Sequence, residues 1–166
     1  EPLQAVALGE AVEQALTALC LKAQNPQAGA ARLAAHMAGE PVAQQCALLR
    51  VFTALGGSSA LQAVRAALAS HDPGVHFAAI RALSSWSSAE AAPELLELAR
   101  MGGGSTDQML CMRGYLRLAA LPEVPAPQRL DMCRQAAEAV SGAEEKDLLL
   151  ADLGAIPSLN SLELID

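Results

Sequence analysis

Aromatic residues are scarce in this sequence. They make up 2% of its 166 residues, and they are Phe52, Phe77, Trp86 and Tyr115. The apolar fraction is nevertheless 52%, so a core has to be built from alanine, leucine, valine and methionine. Small side chains let helix axes approach closely, toward the short end of a range of roughly 8–10 Å. The composition is not that of a disordered chain, and it predicts many thin helices stacked in layers.

Positively charged residues are also few. The sequence contains 11 Lys and Arg residues and 18 Asp and Glu residues, which gives a formal net charge of -7. Nucleic-acid binding depends on neutralising many phosphates, and docking on an anionic membrane depends on clustered basic residues. No apolar run reaches the roughly 18 residues that a spanning helix needs. We therefore expect no nucleic-acid partner and no membrane insertion.

Motifs of catalysis and metal binding are missing. The cysteines are far apart and form no CxxC pair, so each is predicted to be a buried small apolar side chain. They are Cys20, Cys46, Cys111 and Cys133. There is no Gly-x-Ser-x-Gly elbow and no P-loop. His71 and His76 flank Asp72, but a turn separates them, and Asp72 is better explained as a helix N-cap. We predict no catalytic residue, no metal and no cofactor.

Helix-start and helix-stop signals recur at short intervals. Asn25 and Asp72 are capping residues that each precede a proline at the first helical position. Gly56 and Gly57 can take the left-handed conformation that ends a helix. Ser105 with Gln108, and Ser141 with Glu144, are typical of capping boxes. These marks delimit ten predicted helices, near 3–23, 27–38, 41–55, 58–70, 73–86, 89–101, 105–121, 126–140, 144–155 and 159–166.

Pro93 leaves two alternatives for its segment. Either the helix starts near Ala92, or it continues through the proline and kinks there. Trp86 also allows two interpretations, since tryptophan is enriched at binding hot spots. It continues the helical stripe of Val75, Ala79 and Leu83, so we predict that its ring is buried in the core, with its N–H near a helix-end carbonyl or the surface.

Apolar positions repeat with a period in the low thirties. In every second predicted helix they are Leu16, Leu49, Ile80, Leu116 and Leu149, at spacings of 33, 31, 36 and 33. In the intervening helices they are Leu33, Val64, Leu95 and Leu130, at spacings of 31, 31 and 35. A period of this length that holds two helices is typical of a helical solenoid, in which a stack of pairs buries what one pair cannot.

Residues 72–83, DPGVHFAAIRAL, resemble the second-helix signature of short HEAT repeats, the kind also found in phycobilisome-lyase-type arrays. That signature reads Asp-Pro-x-Val-Arg-x-Ala-Ala-Ile-x-Ala-Leu, and His76 stands at its arginine position. The resemblance implies an all-α fold, a right-handed α-α superhelix of about five antiparallel helix pairs. It carries over no catalytic residue, because the His-Glu pairs of the iron-binding HEAT-like hydroxylases do not occur here.

The expected organisation is a single HEAT-like α-solenoid domain over residues 1–166. Because the first residue is Glu1 and neither end looks like a polar cap, we expect this domain to be excised from a longer protein, whose other domains are partners. Similar arrays occur in secreted bacterial multidomain proteins, so the resemblance implies an extracytoplasmic location.

The resemblance implies a non-catalytic protein-interaction or structural scaffold module. The alternative is an enzyme or enzyme subunit of lyase type, in which the solenoid cradles a ligand. Arg50, Arg81 and Arg117 follow the periodic apolar residue of second helices, which line the concave side of HEAT arrays. They are the candidate binding residues for an acidic, extended partner. Alternatively, each arginine pairs with a carboxylate of the next repeat, or covers apolar surface with its stem.

Overall fold

The structure is a computed structural model that describes residues 2–101, 106–139 and 146. The described chain is all-α, with eight α-helices and no strand. The helices are α1 Pro2–Lys22, α2 Pro26–Met37, α3 Val42–Leu55, α4 Gly57–Leu68, α5 Pro73–Ser84, α6 Ala92–Met101, α7 Thr106–Ala119 and α8 Ala126–Ala139. They confirm the first eight predicted segments. The last two segments, Ser105, Leu149 and the pair Ser141 and Glu144 lie outside the described residues.

The contacts divide the chain into two compact units, Glu1–Ala82 and Leu83–Asp166. The single domain over residues 1–166 stays a prediction.

Within the first unit, consecutive helices run antiparallel and alternate helices stack. Contacts join α1 to α2 and α3, α2 to α3 and α4, and α3 to α4. Gln27, in the first turn of α2, donates from Nε2 to the Gly56 carbonyl after α3 at 3.4 Å. Its Oε1 accepts the Ser59 backbone N–H at 3.1 Å. The starts of α2 and α4 therefore meet at the end of α3, as a stack of helix pairs requires.

The second unit repeats this arrangement with α6, α7 and α8, which contact one another. Arg129, in the first turn of α8, donates from Nε to the Ala119 carbonyl at the end of α7 at 3.0 Å. Arg100 Nη2 lies 3.6 Å from Glu138 Oε2, which joins the last turns of α6 and α8. Helices α6 and α8 thus run in the same direction, and α7 runs against both.

The predicted helix ends are present. The Asn25 carboxamide accepts the Ala28 N–H at 3.0 Å, and the Asp72 carboxylate accepts the N–H groups of Gly74 and Val75 at 2.9 and 3.1 Å. Each cap satisfies donors that the first turn leaves unpaired. A 3-10 turn at Ala89–Ala91 precedes α6, which begins at Ala92, so Pro93 lies in a first turn and the kinked alternative is wrong.

Most of the periodic apolar positions form the core. Leu49, Ile80 and Leu116 are buried in second helices, and Val64, Leu95 and Leu130 are buried in the intervening helices. The Trp86 ring is also fully buried, as predicted. Its indole Nε1, however, is buried without a hydrogen-bond partner in the described part of the chain, so the predicted acceptor or solvent contact is wrong.

The cysteine prediction holds for two of four residues. Cys111 and Cys133 are buried, whereas Cys20 and Cys46 are only half-buried. The latter two lie near helix ends and face glycines rather than large side chains. The Cys46 thiol lies 3.7 Å from the Gly74 carbonyl oxygen, and a Cβ on Gly29 would be 3.2 Å from Cys20 Sγ. A glycine covers less of its neighbour, which leaves these two thiols partly accessible.

Replacing Gly57 with alanine is expected to lower the free energy of unfolding by about 1–2 kcal/mol, the cost of a left-handed backbone for a residue with a Cβ. Gly57 has φ of 78°, and an added Cβ would overlap the Gln27 carboxamide, which holds the α3–α4 turn. Urea denaturation followed by circular dichroism measures the change. Gly39→Ala is the control, because its Cβ would meet only the His36 carbonyl oxygen at 3.9 Å. Equal stability of the two variants would contradict the prediction.

Candidate partner-binding surface

Arg50 is the single charged residue of α3, and its side chain is 63% exposed. Its Nε donates to Glu13 Oε2 at 2.8 Å, and its Nη2 donates to Glu13 Oε1 at 2.5 Å. Glu13 belongs to α1, and its side chain is only 18% exposed. Two parallel charge-assisted hydrogen bonds form a fork between the guanidinium and the carboxylate. Arg50 thus pairs with a carboxylate of another helix, the kind of contact that the alternative interpretation of these arginines expects.

Arg81 occupies the repeat-equivalent position on α5, but its environment is different. Its guanidinium carbon lies 5.9 Å from the centre of the Phe77 ring, one turn earlier on the same helix. Phe77 is 38% exposed, so a cation and an aromatic face reach solvent together. A cation–π contact of this kind at an exposed site contributes about 0.5–1 kcal/mol, and it leaves the edges of the guanidinium available for an anion.

Helices α3 and α5 are neighbours within the first unit. The Cys46 thiol contacts the Gly74 carbonyl at 3.7 Å, and Val42 Cγ1 would lie 3.7 Å from a Cβ on Gly74. The start of α5 therefore lies beside the first two turns of α3. The structure therefore places Arg50 and Arg81 on adjacent helices, as the repeat period predicted.

Arg117 lies on α7 in the second unit. Its Nη2 donates to the carbonyls of Ser84 and Trp86 at 3.0 and 2.5 Å, and its Nε donates to the Ser84 carbonyl at 3.3 Å. Ser84 is the last residue of α5, where unpaired carbonyls carry the negative end of the helix dipole. Arg117 thus caps a helix, and its residue surface is exposed.

Charge is divided unevenly between the two units, a feature that the net charge conceals. Glu1–Ala82 contains five acidic and five basic residues, whereas Leu83–Asp166 contains thirteen acidic and six basic residues. Helices α2, α3, α4 and α5 contain no Asp or Glu and one exposed arginine each. These residues are Arg32, Arg50, Arg65 and Arg81. The repeat period predicted these arginine positions, but the absence of Asp and Glu from the four helices was not predicted.

Two clefts in the first unit were not foreseen, because clefts depend on how helices pack. One lies between α1 and α3, has a volume of about 400 Å³ and is bordered by the Glu13–Arg50 pair. The other, of about 670 Å³, follows α2 and α4 and is lined mainly by alanine. Its polar lining comes from Gln45, Ser59, Gln62, Ser70 and His71.

The buried titratable groups do not suit nucleophilic chemistry. Burial, with the nearby Asp107 charge, raises the pKa of the Cys111 thiol to about 12. Burial, with Asp131 and Cys133 nearby, likewise raises the pKa of Tyr115 to about 12, against a lowering by Arg100. A thiol reacts as its thiolate, so Cys111 is unreactive near neutral pH. The described residues contain no His, Cys, Asp and Glu cluster that could hold a metal ion, and none of their helices is long and apolar enough to cross a membrane.

Comparison with known proteins gives one match. Residues 30–107 match the family model of HEAT repeats, a segment that runs from α2 into the start of α7 and includes the motif at residues 72–83. No curated protein and no solved structure matches the chain.

Proposed function

We propose that this chain, whose residues 30–107 match the family model of HEAT repeats, is a non-catalytic protein-interaction module that binds an acidic, extended segment of a partner protein. HEAT repeats generally serve as interaction and scaffold modules. The observation that carries the proposal is that α3 and α5 each have one exposed arginine, Arg50 and Arg81, and no carboxylate. Arginines at regular steps suit a chain of carboxylates.

Arg50 and Arg81 are proposed as the main contacts. Arg50 holds a carboxylate through a fork of two hydrogen bonds, so its rotamer is already one that receives an acidic side chain. Arg81 adds a second cation beside the exposed Phe77 ring, where a partner's apolar side chain could also pack. Arg117 stays a separate candidate, because it lies in the second unit and its guanidinium donors bond to two main-chain carbonyls.

A lyase-type enzyme that uses the helices as a ligand cradle is the alternative from the sequence. Such a cradle needs convergent polar groups in a closed pocket. The larger cleft of the first unit is an open groove lined mainly by alanine, which supports contact with an extended polypeptide instead.

Exchanging Arg50 and Arg81 for glutamate is expected to weaken binding of a fluorescent decaglutamate peptide at least about tenfold at low salt, since each change replaces attraction with repulsion. Fluorescence anisotropy measures the dissociation constant. The matched control is Arg32→Glu with Arg65→Glu, which makes the same change in charge on α2 and α4. We expect this control to weaken binding less than about threefold, through the general field alone.

Two outcomes would contradict the proposal. If the unsubstituted protein does not bind decaglutamate at low salt, the acidic partner is wrong. If both double variants lose affinity equally, net charge governs binding and the assignment to Arg50 and Arg81 is wrong.

A further inference from the structure

The cleft between α1 and α3 combines an ionic rim with an apolar wall. On α1, Glu13, Thr17 and Leu21 follow one another at intervals of four residues, so they lie along one face of the helix. On α3, Arg50, Val51 and Ala54 border the same space. The volume, about 400 Å³, lies within the range of small-ligand sites, roughly 300–1,000 Å³.

The rim already contains a carboxylate in the position of a ligand. Glu13 reaches from α1 to the Arg50 guanidinium with both oxygens. Arg50 is 63% exposed and Glu13 is 18% exposed, so water reaches the guanidinium more readily than the carboxylate. A carboxylate from another chain that replaces Glu13 preserves the two charge-assisted hydrogen bonds of Arg50. Glu13 shows that the Arg50 guanidinium binds a carboxylate. Glu13 also competes with any incoming carboxylate for this guanidinium.

The wall of the cleft is suited to one large apolar side chain. Leu21 is 53% exposed, so its side chain offers apolar surface at the cleft. Val51 lies at the base, and Ala54 is small and exposed, so space remains beside it. Filling this space would remove apolar surface of Leu21 from water.

The distance between Arg50 at the rim and Ala54 in the apolar wall fits an extended peptide. Arg50 and Ala54 are one helical turn apart, about 5–6 Å between Cβ atoms. In an extended peptide, residues i and i+2 point to the same side and are separated by about 6.6–6.8 Å. An acidic residue of the peptide can therefore contact Arg50 at the rim while the apolar residue two positions further along the peptide enters the cleft.

We propose that this cleft binds a peptide segment with the pattern acidic–x–large apolar. The ligand carboxylate replaces Glu13 on Arg50, and the apolar side chain enters the cleft against Leu21, Val51 and Ala54. This inference rests on the proposed function and names the class of partner segment that Arg50 selects. It also assigns Glu13 as an internal competitor that lowers the affinity of the site.

Four labelled peptides test the pattern by fluorescence anisotropy at low salt. They are Ser-Glu-Ser-Leu-Ser, Ser-Gln-Ser-Leu-Ser, Ser-Glu-Ser-Ser-Ser and the shifted Ser-Glu-Leu-Ser-Ser. We expect the first to bind at least about tenfold more tightly than each of the others, because only it supplies the charge-assisted hydrogen bonds and the apolar contact at once. Equal affinity of the first and third peptides would overturn the apolar half of the pattern, and equal affinity of the first and second would overturn the acidic half.

Three variants test the residues. Glu13→Gln is expected to tighten binding of the first peptide about two- to fivefold, the size of one released exposed ion pair, and to leave the glutamine peptide unchanged. Ala54→Phe fills the cleft and is expected to weaken the first peptide about tenfold. Ala43→Phe is the matched control, at an exposed alanine of α3 that lines neither cleft. Leu21→Ser is a further variant that removes apolar surface from the wall of the cleft. Because Leu21 is exposed, the stability of the fold depends less on its side chain.

The results separate this inference from the proposed function. If decaglutamate binding requires Arg50 and Arg81 while Ala54→Phe and Leu21→Ser leave the first peptide unaffected, the cleft assignment is wrong and the acidic-partner function stands. If neither decaglutamate nor the first peptide binds, both are wrong. Weaker binding after Glu13→Gln would show that Glu13 supports the site and would overturn its role as competitor. Circular dichroism melts establish that each variant is folded.

Discussion

Replacing Trp86 with alanine is expected to lower the free energy of unfolding by about 3–5 kcal/mol, the range for large aromatic truncations in a core. Trp86 is 0% exposed and heads the fully buried side chains ranked by size. The buried core of the described residues consists mostly of alanine and leucine, whose side chains are too small to fill the space that an indole leaves. A cavity is therefore expected to persist. Urea denaturation monitored by circular dichroism measures it.

Trp86→Phe is the informative control, and it is expected to cost less than about 1.5 kcal/mol, as for apolar exchanges that keep most of the volume. The indole Nε1 is buried without an acceptor in the described chain. Removing a buried donor that has no partner recovers part of its desolvation cost, about 1–3 kcal/mol, which offsets the lost volume. A phenylalanine variant as unstable as the alanine variant would show that the N–H is bonded in solution.

Substituting Gly114 is expected to destabilise the second unit, by about 1–2 kcal/mol for Gly114→Ala and by about 3 kcal/mol for Gly114→Val. An alanine Cβ at this position would lie 2.8 Å from Ser84 Cα, which is main chain and cannot turn aside. Overpacking of this kind costs about 1–3 kcal/mol, whereas alanine gains at most about 1 kcal/mol over glycine in helix propensity. The steric term therefore exceeds the propensity term. Valine adds two methyl groups to the same contact and lacks alanine's propensity.

Gly9→Ala is the matched control for Gly114→Ala. Gly9 also lies within a helix, and nothing is within 4 Å of the Cβ that alanine would add. Only the propensity term remains, so this variant is expected to gain about 0.5–1 kcal/mol. Denaturation of the two variants under the same urea conditions should thus give changes of opposite sign. A gain at both positions would contradict the close approach of α7 to Ser84.

The arginine positions could be predicted in part from the sequence. Arg50 and Arg81 follow from the repeat period, because equivalent positions in a helical array are expected to face the same way, and their role in binding stays a prediction. The period does not determine what each guanidinium contacts. The structure gives three environments for the three second-helix arginines: a carboxylate at Arg50, an aromatic ring at Arg81 and two main-chain carbonyls at Arg117. Among these three interactions, only that of Arg81 is with a residue of its own helix, because Phe77 lies four positions earlier in α5. Such a spacing can be recognised in the sequence.

The sequence by itself determined the helices and their order. Caps such as Asn25 and Asp72 act within three residues, and a proline at the start of a helix acts within one turn, so these signals can be recognised without knowledge of the fold. The periodic spacing of apolar residues then predicted core positions, including Leu49 and Val64, since the face of a helix that packs against a neighbouring helix must be apolar.

The tertiary structure decided the contacts between residues far apart in the chain. Glu13 and Arg50 are separated by 37 positions, and the approach of Gly114 to Ser84 depends on how α7 packs against the end of α5. Three other features arise in the same way: the Trp86 indole, which has no acceptor among the described residues, the partial exposure of Cys20 and Cys46, and the cleft between α1 and α3. Such features depend on distances of a few ångströms between helices, which side-chain packing sets collectively and no local pattern records.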